Sequence, residues 1–294
     1  MAARPEAQEF DLAVVDDPQQ PVPQVRRVVE IAASLQLFEH AAERGLGQIV
    51  GIDGPTQLRR GLPNARRPAR ITSAAVAAAL TRHVKNVYGA VLTRTLTNRD
   101  ATLKAILKAL GDISDKIEDR DTFIFYFAGH GLFDKDGGFY LATHDTDFEE
   151  LIESAISGDQ LKGKLARMKK GTRILILDAC KSADIANIPS VDFKKILDPL
   201  NTGFAFACSC RSQQRAWEKS PEVKHGAFAY FFVKAPEGAG PRSPDGSVTF
   251  RDLDEYLSRN VKAYTKKELN ENQSPYFSCP EYIDASELRI TRVK

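Results

Sequence analysis

Four cysteines in 294 residues, at positions 180, 208, 210 and 279, are too few and too unevenly spaced to read as a disulfide framework. A reducing, cytoplasmic compartment is therefore expected. Cys208 and Cys210 are one residue apart and no His or Cys pair accompanies them, which excludes zinc-finger spacing; Cys208 is expected at the end of a buried strand. No stretch approaches the ~20 apolar residues of a membrane-spanning helix, and the opening Met1–Arg4 lacks the apolar run of a signal peptide, so no membrane partner is expected. Charge of one sign is also missing. With 41 basic and 39 acidic residues the net charge is +2, and no basic stripe argues for nucleic-acid binding. The one local basic cluster, Arg59, Arg60, Arg66, Arg67 and Arg70, reads as a solvated loop, as an RNA or partner contact, or as a cleavable segment. No internal repeat is visible. What is present is a hydrophobic content of 43%, enough for a sizeable core in one large domain or two small ones.

Residues 1–24 are polar and rich in Pro and Gln, an extended or disordered lead. Residues 25–44 carry a broad apolar stripe (Val28, Val29, Ile31, Ala32, Leu35, Leu37, Phe38), with Gly45 placed for a C-cap, and predict a helix. Residues 1–45 thus read as a lead plus a helix that covers the sheet or acts as a prosegment, and 46–294 as the main domain. Within it, strands over 48–52, 90–95, 122–127, 173–178 and 203–208 alternate with helices over 72–87, 99–117, 158–168, 225–234 and 250–267. A hairpin-like return falls at 138–142. Alternating strand and helix predicts an α/β fold, a mostly parallel sheet with helices on both faces.

Two of these strands carry chemistry at their ends. Thr122–Phe127 runs into Ala128, Gly129, His130 and Gly131; Arg173–Leu177 runs into Asp178, Ala179 and Cys180. Both are continuous apolar runs, as strands buried on both faces require. Open α/β sheets place ligands at the carboxyl ends of their strands, so the two strands can deliver a base and a nucleophile to one edge. A thiol is mostly protonated at neutral pH and the thiolate is the nucleophile; an imidazole can take its proton and later protonate a leaving amine. The N–H groups of Gly131 and Cys180 can serve as two oxyanion donors. Taken singly, a buried Cys is more often a small hydrophobe and a lone His structural; the joint pattern, with about ~50 residues between them, is the specific signal.

The chain resembles the caspase-like cysteine peptidases, metacaspases and bacterial relatives included. Phe125–Gly131 and Leu175–Cys180 carry the resemblance. Weaker segments occur in the same order: Gln48–Ile52, Leu62–Ala65, Thr97–Thr102, Gly138–Leu141, Phe206–Ser209, His225–Tyr230, Asp245–Thr249 and Gln273–Pro275. The resemblance implies a caspase-like three-layer sandwich around a six-stranded sheet. It implies a cysteine endopeptidase with His130 as general acid/base and Cys180 as nucleophile, and protein or peptide substrates. By the same resemblance such an enzyme is a regulated zymogen in bacterial stress, defence or cell-death signalling, under an upstream activating protease or signalling partner. A fold-retaining but silent interaction module, a protease with another specificity, and a small-molecule cysteine hydrolase or transferase are the alternatives. The chain departs from the metacaspase-like pattern after the nucleophile, where Lys181, Ser182 and Ala183 stand in place of His-Ser-Gly, and at Pro68, where relatives carry an acid.

Asp178 lies two residues before Cys180 and so on the same strand face. A carboxylate there favours a cationic substrate side chain, and metacaspase-like relatives cut after Arg or Lys with Asp in this place. Capping of a neighbouring loop is the alternative. Asp145 and Asp147 supply further acidity or are turn residues. Trp217 is placed either to stack on an extended peptide or simply to pack. The segment 181–202 reads as a surface loop that is left uncut or self-cleaved after Lys181, Lys194 or Lys195. No cofactor or metal site is readable. Asp134 and Asp136 fit a hairpin turn better than a calcium loop, and Asp245–Asp252 fails the EF-hand ligand count; calcium dependence, found in some metacaspase-like enzymes, stays open.

Overall fold

Strands that are apolar at nearly every position must be covered on both faces. Two such runs, Phe123–Ala128 within β4 (Thr122–Phe133) and Ile174–Leu177 within β7 (Thr172–Lys181), lie side by side in the interior of a sheet. The computed structural model describes residues 11–14, 27–34, 69–84, 86–88, 90–134, 136–147, 150–181, 203–210 and 226–293. The sheet also contains β1 (Asp11–Val14), β2 (Arg27–Ser34), β3 (Ala90–Thr97), β8 (Ala205–Cys208) and β10 (Tyr276–Ser278). Its order is β1-β3-β2-β4-β7-β8-β10. The run from β3 to β8 is parallel throughout, while β1 and β10 close the two edges antiparallel. The expected six-stranded, mostly parallel sheet is the run from β3 to β10, and β1 extends it.

Period-2 alternation sends successive residues of β4 and β7 into two separate cores. On one face Phe123, Phe125, Phe127, Leu175 and Leu177 pack against α2 (Leu103–Ser114) and α3 (Gly158–Arg167). On the other, Ile124, Tyr126, Ile174 and Ile176 pack against α1 (Ala69–Val84), α4 (Ala227–Lys234) and α5 (Phe250–Leu269). Side-chain caps fix the starts of three helices. Thr102 accepts from the Ala105 amide at 3.2 Å at the head of α2, and reciprocal capping boxes, Ser157 with Gln160 and Thr249 with Asp252, open α3 and α5.

The structure corrects several expectations. Residues 27–34 are a strand between β3 and β4, not part of a helix over 25–44. Val28, Val29 and Ile31 are β-branched within a short apolar run, and such a run suits an inner parallel strand as well as a helix face. Residues 11–14, within the lead expected to be extended or disordered, form an extended strand that pairs with β3. The strand expected over 48–52 lies outside the described residues. β4 continues six residues past Phe127 because β5 (Phe139–Leu141) pairs with its far end; β6 (Ile156–Ser157) then pairs with β5. α2 begins at Leu103 rather than 99, since Asn98–Asp100 forms a 3₁₀ turn that starts with Asn98 at φ 50°. A small second sheet joins β9 (Ser247–Thr249) to β11 (Arg289–Arg292).

Candidate active site

The apolar stripe on the α1/α4/α5 face ends in Tyr126 and the small Ala128 on β4 and in Ile176 on β7. Beside Ala128 comes Asp178, and two residues further along come His130 and Cys180. The ladder pairs them in that register: Ala128 with Asp178, His130 with Cys180, Gly131 with Lys181. Register partners on adjacent parallel strands share a sheet face about ~4.8 Å apart. The His and the Cys of the sequence pattern are therefore neighbours, fixed by the registration of two adjacent inner strands. His130 is half-buried.

Gly131 is buried and belongs to the β4–β5 ladder. The His130 carbonyl accepts from the Ala142 amide at 2.9 Å, and the Asp134 amide donates to the Gly138 carbonyl at 3.0 Å. Even-numbered residues of β4 thus bond towards β5, and alternation turns the N–H of Gly131 towards β7, the side that carries Cys180.

Asp178 is half-buried, and the hydroxyl of Tyr126 donates to its Oδ2 at 3.2 Å. Tyr126 itself is fully buried. On the other flank of β7 the ladder with β8 is prolonged by Ser209. Its amide donates to the Leu177 carbonyl at 2.9 Å and its hydroxyl, at a longer 3.4 Å, to the Ala179 carbonyl. Ser209 thereby holds the peptide carbonyls on either side of Asp178. Gln273, fully buried, donates from Nε2 to the Ser209 carbonyl at 2.8 Å and is held in turn by its amide on Thr265 Oγ1 at 3.2 Å. Sequence reasoning singled out the segments around Ser209 and Gln273 without a role for either, and passed over Tyr126. Its signal was a tyrosine in an otherwise Phe/Ile strand, whose buried hydroxyl needs an acceptor.

His130, Gly131, Asp178 and Cys180 come together at one sheet edge. Lys181 is the last residue of β7, in register with Gly131, rather than the first of a loop. Trp217, Lys194 and Lys195 lie outside the described residues. Asp145 accepts from the Leu103 amide at 2.9 Å and from Thr143 Oγ1 at 2.7 Å, so its carboxylate fastens a loop to the first turn of α2. The Asp147 amide donates to Ser154 Oγ at 2.8 Å within the next turn. Asp134 is a hairpin residue: Oδ1 accepts from the amides of Asp136 and Gly138 at 2.9 and 2.7 Å, and Oδ2 from the Tyr140 hydroxyl at 2.9 Å. Burial, and then this contact with Asp134, push the Tyr140 phenol up to about 12. Asp245 likewise caps a turn, accepting from the Ser247 amide and hydroxyl at 2.9 and 3.0 Å. Cys208 and Cys210 are buried beside the site, the Cys210 thiol 3.9 Å from the Ala179 carbonyl.

The fold is thus an α/β protein whose parallel sheet sets a histidine and a cysteine in register at its carboxyl edge. A family model described as caspase domain matches residues 65–284, and the chain belongs to that family, whose members are cysteine peptidases. The fold is similar to the crystal structure of a protein from Geobacter sulfurreducens, with a TM-score of 0.58 at 14% identity, covering 91% of this chain and 100% of that one. It is also similar to caspase-1 from Spodoptera frugiperda, with a TM-score of 0.50 at 11% identity over 86% of each chain. No curated protein sequence matches. Among the described residues no helix is long and apolar enough to cross a membrane.

Proposed function

We propose that the chain is a cysteine endopeptidase working through His130 and Cys180, with a preference for Arg or Lys before the scissile bond. The observation that carries this reading is the registration of His130 with Cys180 across the β4–β7 ladder. The Cys180 thiolate adds to the scissile carbonyl carbon, its proton having passed to His130. The oxyanion so formed accepts from the N–H groups of Gly131 and Cys180. His130 returns the proton to the departing amine, leaving a thioester. Water, deprotonated by His130, then attacks the thioester and releases the carboxylate product and the free thiol. Asp178, on the same strand face two residues before the nucleophile, supplies the negative charge that selects a cationic side chain.

The family resemblance further supports a cytoplasmic zymogen, controlled by an upstream protease or signalling partner in stress, defence or cell-death circuits. Maturation would cut after Lys181, Lys194 or Lys195. The test is hydrolysis of fluorogenic peptides ending in Arg, Lys or Asp by wild type and Cys180→Ala, with and without calcium. Turnover of the Arg and Lys peptides that vanishes in Cys180→Ala is expected. Turnover of Asp peptides alone would overturn the specificity, and turnover that survives in Cys180→Ala would overturn the mechanism.

A further inference from the structure

We infer that Tyr126 is a positioning residue for substrate selection, acting through Asp178; this rests on the proposed role of Asp178 in binding a cationic side chain. Tyr126 is the last large side chain of the α1/α4/α5 core along β4, with its ring centroid 5.7 Å from that of Phe232 and its surface fully buried. Its hydroxyl emerges where the apolar stripe gives way to the polar end of the sheet, and donates to Asp178 Oδ2 at 3.2 Å. The two residues are two positions apart along the register: Tyr126 faces Ile176, and Ala128, with only a methyl group, faces Asp178. The small Ala128 leaves the diagonal between the two strands open to the phenol, a reach that aromatic side chains make across neighbouring strands.

A neutral donor is the chemistry that such a position calls for. A carboxylate set beside a core pays a desolvation cost unless it is hydrogen-bonded. A Lys or Arg in place of Tyr126 would stabilise Asp178 but cancel the charge that is to attract the substrate. A phenol satisfies one lone pair, leaves the net charge at −1, and restricts the carboxylate through a rigid ring with only two side-chain torsions. Because its ring is clamped by α4, Tyr126 carries the order of the core to the Asp178 carboxylate, so that the carboxylate meets an arriving guanidinium already oriented. Asp178 and Cys180 occupy the same strand face, so the orientation of one bears on where the substrate carbonyl falls against the other.

The experiment is a double-mutant cycle of Tyr126→Phe and Asp178→Asn, read as KM and kcat on an Arg peptide. Tyr126→Phe keeps the ring and removes only the hydroxyl. A KM raised about 3- to 10-fold with kcat within about 2-fold is expected, as for the loss of one ordinary hydrogen bond. On the Asp178→Asn background the same substitution is expected to change KM by less than about 2-fold. An unchanged KM in Tyr126→Phe while Asp178→Asn raises it would overturn the role of Tyr126 and leave that of Asp178 standing. An unchanged KM in Asp178→Asn would overturn both. A second reading, in case Tyr126→Phe does not fold, is the ¹³C-tyrosine NMR signal of Tyr126 in wild type and Asp178→Asn. A shift on removing the charge supports the contact, and an unmoved signal overturns it.

Discussion

His130 owes its position to a ladder. Strand registration leaves little freedom to the backbone of His130, since it is held on one flank by the Ala142 amide at the end of β5 and on the other by β7. Replacing the imidazole should therefore change chemistry and not architecture. His130→Ala is expected to lower kcat/KM by about 10²- to 10⁴-fold with KM little changed and thermal melting within a few degrees of wild type, as checked by steady-state kinetics beside calorimetry. A large loss of melting temperature would instead assign the residue a packing role. At this scale the sequence was most readable. Gly-His-Gly after one apolar strand and Asp-x-Cys after another single out His130 and Cys180 as candidates, and the β4–β7 register sets the two side by side. The supporting residues were not readable in the same way. A buried tyrosine, serine and glutamine become Tyr126, Ser209 and Gln273 of the site only when the sheet order puts β4, β7 and β8 next to one another and the end of α5 beside them.

Elements carry the second kind of precision. The hairpin that extends β4 beyond the histidine depends on Asp134, which three donors hold in place. A Cβ on Gly138 would stand 2.5 Å from Asp134 Oδ2, closer than any contact allows, so the carboxylate would have to leave. Gly138→Ala is expected to cost about 1–3 kcal/mol in chemical denaturation. It should also lower the Tyr140 phenol from about 12, because one of the two main influences holding it up departs; tyrosinate absorbance against pH reads the second effect. The hairpin was legible in Asp134–Gly138, as were most helices and inner strands, because their periodicities are pure. The misreadings have physical sources. The Val28–Ala33 run satisfies both an amphipathic helix and an inner strand, and only its pairing with β3 and β4 decides. β10 has three residues, all partly exposed, and β11 buries the consecutive Ile290 and Thr291 between an outward Arg289 and Arg292, with no alternation. Neither is long enough for a period to stand out.

Across the whole molecule, the end of the chain acts as a strap. β11 buries Ile290 against the α1/α4/α5 core, the Tyr88 hydroxyl donates to the Arg289 carbonyl at 2.6 Å, and the Asn86 side chain donates to the Arg292 carbonyl at 2.6 Å. Asp245 ties the strap to the turn before β9: its carbonyl accepts from Arg292 Nε at 2.7 Å, and its carboxylate lies 3.8 Å from Arg289 and 4.0 Å from Arg292. The Ser247 amide first, then the Ser247 hydroxyl and the two guanidinium groups, hold the Asp245 carboxyl below its ordinary value. A depressed folded value means stability that is present above the unfolded value near ~3.9 and lost as pH falls through the folded one. The melting temperature of Asp245→Asn is accordingly expected to lie below that of wild type at neutral pH and to converge with it in strong acid; a gap independent of pH would place the effect in the turn geometry instead.

The placement of β8 beside β7 has one more consequence. The two strands are joined in sequence by the stretch 182–204 and joined in space by their own ladder, to which Ser209 adds its amide and hydroxyl. Covalent continuity and structural continuity are thus separate across this stretch. A break anywhere in 182–202 would divide the polypeptide into a piece that holds both His130 and Cys180 and a piece that holds Ser209, Gln273, α4, α5 and the strap. The two would stay one body, because the second piece supplies two of the three helices over the α1/α4/α5 core and the only neighbour of β7 on its far side among the described residues.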